Sequence, residues 1–220
     1  IIEDSKGRIW VGNYGSGLNL VYEENGETKF RNTNNSFKEY PLFSNNKVRH
    51  MFEDLKGRIW IATTNGLLIT DPKSDNLDHL KFEIYRKIAN DAASIGSNDV
   101  LFTYKDSRDD IWVSSAGGGL SRAIEKEKTI KFKTFTTRDG LPSDFILSMI
   151  EDNDENLWLT TENGISKFNL NTYNFRNFDN YDGLNKISFS ESSSIKLPNN
   201  KLLFGCLKGY LVFNPEQVKN

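Results

Sequence analysis

Residues 54–60 read DLKGRIW, and residues 4–10 read DSKGRIW. The same succession of carboxylate, turn and aromatic returns as DSRDDIW at 106–112 and DNDENLW at 152–158. Trp10, Trp60, Trp112 and Trp158 therefore stand 50, 52 and 46 residues apart, a period found in propeller blades and in some helical repeats. A fifth, degenerate copy, NKLLFGC at 200–206, puts Leu203 in the Trp slot.

Local pattern decides between those architectures. Each copy opens on a β-type run, such as Val48, His50, Phe52 or Phe145, Leu147, Met149, whose period of two suits a half-buried strand. A turn follows, in which the Asp accepts backbone N–H bonds and Gly7 or Gly57 supplies a positive φ. Asp109 and Asn200 tolerate that conformation, whereas Glu155 is a poor fit, so the sequence predicts a different turn there. A second strand (IWVGN, IWIAT, IWVSS, LWLTT) ends in a Gly-bearing polar stretch, and a third starts at Gly17, Gly66, Gly119, Gly164 and Gly209. A fourth carries aromatics, as in FEIY at 82–85, FKTF at 132–135 and FRNF at 175–178.

Four short antiparallel strands per repeat describe a propeller blade, and no long 3.6-residue stripe supports a helix pair. The expectation is an all-β propeller segment of about five four-stranded blades, at 1–43, 44–93, 94–138, 139–181 and 182–220, with the last lacking its outer strand. Trp10, Trp60, Trp112, Trp158 and Leu203 are expected at equivalent buried positions, where burying one large side chain contributes on the order of 2–3 kcal/mol. The repeated phrase is thus read as structural, not chemical.

Composition narrows the function. A chain of 220 residues that is 37% hydrophobic and 12% aromatic can bury a sizeable core, and it has no apolar run long enough to span a membrane. With 28 basic against 30 acidic side chains it carries no field that would draw nucleic acid or an anionic membrane. The single Cys206 excludes an internal disulfide framework and leaves the compartment open. No signal peptide is visible, because residue 1 already lies in the repeat, and the chain reads as an excerpt of something longer.

The phrase D-x-x-G-x-I-W-[VI]-[GA]-[TN], followed by N-G-L and then by DGLPSD at 139–144, resembles the two-component regulator propeller repeat. The resemblance covers essentially the whole chain, with Asp109 and Glu155 departing at the turn glycine and the last copy lacking both Asp and Trp. It implies the periplasmic sensor region of a hybrid two-component histidine kinase of the kind by which Bacteroidetes sense glycans. It further implies seven-bladed rings of which this is the later part, a homodimeric full receptor, and kinase domains elsewhere. The ending GYLVFNPEQVKN resembles the junction to a membrane-proximal sandwich.

Candidate chemistry is sparse. His50 and His79 have no Cys, His or carboxylate at metal-ligand spacing. DNDEN at 152–156 lacks the Gly and Glu that complete a calcium loop. GSG at 15–17 and GGG at 117–119 precede strands, not the helix N-terminus that a phosphate loop requires. No cofactor and no metal is expected.

In a propeller the loops joining strands two and three share one face with the connections between blades. There the sequence places Asn13, Tyr14, Thr64, Asn65, Glu162 and Asn163, and also Asn45, Asn46, Asn98, Asp99, Ser143, Asp144, Asn185 and Lys186. Amides, carboxylates and a ring suit a sugar, although Asn, Asp and Ser are equally what turns are made of. Three classes stay open: an oligosaccharide sensor, a scaffold that dimerises or docks a periplasmic protein, and an enzyme such as a streptogramin-lyase-like propeller. Tyr14, Asn65 and Asn163 are the leading contacts for the first.

Overall fold

In a computed structural model, which describes residues 1–73, 77–127, 129–184 and 187–218, the chain forms five antiparallel sheets. Blade 1 is β1 (Ile2–Glu3), β2 (Ile9–Asn13), β3 (Gly17–Glu24) and β4 (Glu27–Asn32). A single four-residue helix, α1 (Leu42–Asn45), leads into blade 2: β5 (Val48–Glu53), β6 (Ile59–Thr63), β7 (Gly66–Thr70) and β8 (Glu83–Tyr85). Blade 3 is β9 (Val100–Lys105), β10 (Ile111–Ser115), β11 (Gly119–Lys126) and β12 (Thr129–Phe135). Blade 4 is β13 (Ile146–Glu151), β14 (Asn156–Thr161), β15 (Gly164–Asn169) and β16 (Phe175–Phe178). Blade 5 has three strands among the described residues: β17 (Phe189–Lys196), β18 (Leu202–Cys206) and β19 (Gly209–Phe213). Strands pair in chain order within each sheet, and first strands of successive sheets lie against one another, β5 on β9, β9 on β13 and β13 on β17. That is a propeller arc with first strands innermost.

The Asp of the repeated phrase closes the turn and holds the Trp. Asp54 accepts the backbone N–H groups of Lys56 and Arg58 on Oδ1, and the Trp60 indole N–H at 2.8 Å on Oδ2. Asp4–Trp10, Asp106–Trp112 and Asp152–Trp158 repeat the indole bond at 2.7, 2.8 and 2.7 Å. An indole can be buried only if its N–H finds an acceptor, and the acceptor here is the residue that also makes the hairpin. The four Trp residues are at most 1% exposed, and each packs on the following blade: Trp10 with Met51 and Ile61, Trp60 with Val100 and Val113, Trp112 with Leu159 and Phe168, Trp158 with Leu202 and Phe204.

Three expectations need correction. Leu203 does stand in the Trp register, since Leu197 closes the same turn that Asp152 closes, yet it is only half-buried because no described residue covers the far side of blade 5. The turn at Glu155 is the same as the others: Glu155 adopts φ 57° beside 65° at Asp109 and 62° at Asn200. Its carboxylate is held by Arg108 and Asn171, and its carbonyl by the Leu170 N–H. The strict alternation Phe145, Leu147, Met149 fails, because a bulge at Leu147 shifts the phase and buries Ile146, Ser148 and Met149 instead.

In blades 2, 3 and 4 the glycine that starts the third strand is explained by close approach to the end of the fourth. Gly119 has φ +72°, and a Cβ there would lie 2.1 Å from the carbonyl oxygen of Phe135 at the end of the fourth strand. Gly164 repeats the arrangement against Phe178.

Candidate functional site

The innermost strands carry the same irregularity at the same height. In β5 the register jumps from Val48↔Thr63 to His50↔Ala62, leaving Arg49 unpaired, and Leu101 in β9 and Leu147 in β13 are extruded likewise. In β17 the bulge is larger: residues 190–193 stand against Gly205 alone, with Ser192 at φ 51°. Such bulges redirect side chains out of the pleat. At the end where β5 begins, the result is a charged cluster centred on Arg49.

Arg49 forks onto Asp99 of the next blade connection, Nε to Oδ1 at 3.0 Å and an Nη to Oδ2 at 3.1 Å, while its other Nη meets Glu191 of blade 5 at 2.5 Å. The guanidinium lies 5.9 Å from the centre of the Tyr14 ring, and Lys47 Nζ lies 5.1 Å from it, within cation–π range. Burial alone would lower the Arg49 pKa, but the carboxylates of Asp99 and Glu191 outweigh it and hold the group above its ordinary value. Tyr14 is 63% exposed. Its backbone bridges to Lys47, and the Thr64 N–H donates to the Lys47 carbonyl, so Lys47 sits between the second-to-third-strand loops of blades 1 and 2.

The other residues expected on this face divide by what they already hold. The carbonyls of Asn46, Asn98 and Asp144 accept the N–H groups of Gly17, Gly66 and Gly119, each tying one blade's loop to the next blade's entry. The Asn98 side chain also caps the Lys87 N–H, and the Asp144 carboxylate accepts from Thr137 N and Oγ1. Asn45 is wholly buried, donating to Thr63 Oγ1 and to the Asn65 carbonyl. Asn163 is exposed and donates to the Pro142 carbonyl, and Ser143 accepts from the Phe145 N–H. Asn13 and Glu162 are exposed, and Thr64 and Asn65 half-buried. Asn185 and Lys186 lie outside the described residues.

The structure therefore brings Tyr14, Thr64 and Asp99 together around Lys47 and Arg49, and leaves Asn98 and Asp144 as staples between blades. Arg49, Lys47 and Glu191 were not singled out by sequence reasoning. The available signal was the pair of basic residues flanking Val48 at the entry of an innermost strand; nothing local marks Glu191, which is 142 residues from Arg49.

His50 has a structural role. Its Nδ1 is 2.9 Å from Thr103 Oγ1 and its ring lies 4.0 Å from that of Phe102. Burial pushes its pKa down to about 4. His79 is exposed on a 3₁₀ turn. Among the described residues no three His, Cys, Asp or Glu side chains gather as a metal site, and no helix is long and apolar enough to cross a membrane.

On the opposite face the blades are joined by a second device. Ser5 donates from N and Oγ to the Glu53 carboxylate, both at 2.7 Å, and Ser107 does the same to Glu151, both at 2.7 Å. Each latch joins the turn of one blade to the end of the next blade's first strand. Between blades 2 and 3 the corresponding residues are Leu55 and Lys105. There the latch is replaced by a cleft of about 270 Å³ whose rim includes Lys56, Arg58, Lys105 and Glu125.

Comparison with known proteins agrees with this fold. The family described as "Two component regulator propeller" matches residues 140–163. Histidine kinase P4 of Formosa agariphila is 33% identical over 210 residues, covering 96% of this chain and 15% of the kinase, so the chain spans a small part of that relative. The solved extracellular domain of a hybrid two component system from B. thetaiotaomicron superposes with a TM-score of 0.76 at 23% identity, over 98% of this chain and 29% of that one. Virginiamycin B lyase from Staphylococcus aureus superposes with a TM-score of 0.60 at 15% identity, over 97% of this chain and 68% of the lyase. At these identities the two solved structures share the fold.

Proposed function

We propose, on the premise that this chain is a run of two-component regulator propeller repeats, that it is an extracytoplasmic sensor segment of a hybrid histidine kinase receptor. In this reading it lies in the periplasm, forms the later part of a seven-bladed ring in a homodimeric receptor, and binds an oligosaccharide without covalent chemistry on it. The kinase relative at 33% identity supports the receptor. The observation that supports binding is the exposed Tyr14 ring, set among polar loops and flanked by Lys47 and Arg49. An aromatic platform beside charged donors and acceptors matches a sugar, whose ring has an apolar face and a rim of hydroxyls.

A bound ligand moves a receptor only by its difference in affinity between signalling states. Contacts that join separate blades are suited to that, and Arg49 joins blade 2 to blade 5. The test is calorimetry of the complete extracytoplasmic region against a glycan panel. Replacing Tyr14, Asn65 and Asn163 together by Ala is expected to weaken binding, by about 1–3 kcal/mol for each buried polar group of the ligand that is left without its partner. Full affinity in that variant refutes the site.

A second reading rests on the uncovered side of blade 5, where Ile195, opposite Leu203, and Tyr210 are 54% and 71% exposed: the segment docks a further blade or a periplasmic protein there. Absence of glycan binding alongside capture of such a partner selects it.

A further inference from the structure

We propose that the Arg49 cluster, at the end where β5 begins, is a subsite for the carboxylate of an acidic sugar residue, with Glu191 occupying it as an internal stand-in. The inference rests on the oligosaccharide reading above and names the chemistry that this site selects.

Three features of the cluster carry it. First, Arg49 offers its fork to two carboxylates of different standing. Asp99 is bound bidentately by Nε and one Nη, whereas Glu191 touches the remaining Nη through a single contact. Glu191 reaches it from the oversized bulge of β17, with its own side chain 43% exposed. A carboxylate that arrives in place of Glu191 meets a donor already oriented for it, and the released Glu191 moves into water. One carboxylate is exchanged for another on the same guanidinium, so no charge is left buried and unpaired.

Second, Lys47 is a cation whose described partner is the Tyr14 ring; it has no carboxylate partner among the described residues. Lys47 and Arg49 both lie within 6 Å of that ring's centre, so a sugar stacked on Tyr14 would hold its carboxylate between two donors. Third, the cluster of Lys47, Arg49, Asp99 and Glu191 is balanced while Glu191 is docked and becomes net positive when it leaves, which favours an anionic replacement over a neutral one. A neutral diol cannot displace a charge-assisted ion pair on equal terms. The exchange also breaks the link between blades 2 and 5, which gives binding a mechanical consequence.

The experiment measures affinity of the complete extracytoplasmic region for uronate-containing oligosaccharides and for the same oligosaccharides after carboxyl reduction to neutral sugars. Carboxyl reduction is expected to weaken binding at least about tenfold, the loss of one charge-assisted bond. Arg49→Gln is expected to reduce discrimination between the two forms to what Lys47 alone supplies. Glu191→Gln keeps the bulge but weakens the stand-in, and is expected to tighten uronate binding about threefold or more while leaving the reduced form unchanged, because a larger fraction of sites is vacant. Circular dichroism and melting confirm that each variant is folded.

Equal affinity for the charged and reduced forms overturns the inference, as does weaker uronate binding in Glu191→Gln. If neutral glycans bind and uronates do not, the subsite fails and the oligosaccharide reading stands. If no glycan binds, both fail.

Discussion

Replacing Asp54 by Asn tests whether the repeated carboxylate holds the Trp or merely shapes a turn. The Asp54 side chain is 4% exposed and receives four donors: the Lys56 and Arg58 N–H groups on Oδ1, and the Trp60 indole and Arg58 Nε on Oδ2, at 2.8 and 2.7 Å. Asn keeps one oxygen, which the two turn N–H groups claim, and presents its NH₂ group to the indole N–H and to Arg58. Two donors then face a third in a buried place. The unpaired indole costs about 1–3 kcal/mol. Arg58, whose side chain is 17% exposed, loses a pairing that solvent screening limits to about 1 kcal/mol. The expected loss is therefore about 2–4 kcal/mol. A cycle with Trp60→Phe separates the two roles, since Phe has no N–H to leave unpaired, and the coupling should be about 1–2 kcal/mol. Urea unfolding followed by far-ultraviolet circular dichroism measures it without relying on Trp fluorescence. Additive effects, with coupling below about 0.5 kcal/mol, would refute the argument and reduce Asp54 to a turn residue.

Other expectations follow from the seams, the strand starts and His50. Ser107→Ala removes the Oγ bond to Glu151 and should cost about 1 kcal/mol. Leu55→Ser with Lys105→Glu writes the missing latch between blades 2 and 3; Lys105→Glu alone sets a carboxylate unfavourably beside Asp109, the present partner of Lys105, so the sign to look for is a favourable coupling of about 1 kcal/mol in the double-mutant cycle. Gly119→Ala drives a methyl group against the Phe135 carbonyl at positive φ and should lower stability by about 2–4 kcal/mol, seen as a fall in Tm; an unchanged Tm would show that the strand start relaxes freely. His50 is a base whose folded pKa of about 4 lies below its ordinary 6.5. The unfolded chain therefore takes up the proton first. Its contribution is intact above pH 6.5 and is lost as pH falls from 6.5 to 4, by on the order of 2–3 kcal/mol, and His50→Gln should flatten the stability profile in that window.

The fold was legible because its code is local. The Trp period, the Asp that starts each turn, and the glycine at the head of each third strand depend on φ/ψ preference and on a two-residue strand period, which the neighbours in sequence supply. The third strands begin at the five predicted glycines, Gly17, Gly66, Gly119, Gly164 and Gly209. Where local preference was used alone it also failed. Glu155 is a poor candidate for positive φ by propensity, yet Arg108 and Asn171 hold it there from outside the turn, and a tertiary contact of this kind offsets a strain of about 1 kcal/mol.

The candidate site depended on tertiary structure. Tyr14 could be assigned to an exposed loop from its glycine-rich setting, but Arg49 acquires meaning only from a bulge that takes it out of the strand pairing and from the rotation of one blade against the next. That rotation brings Asp99 and Glu191, 50 and 142 residues away, onto one guanidinium, and it places Ser5 on Glu53 and Ser107 on Glu151. Leu203 shows the same limit from the other side: the sequence assigned its register correctly, but burial depends on whether another blade lies over it, and that is decided by the packing of blade on blade, beyond any one repeat.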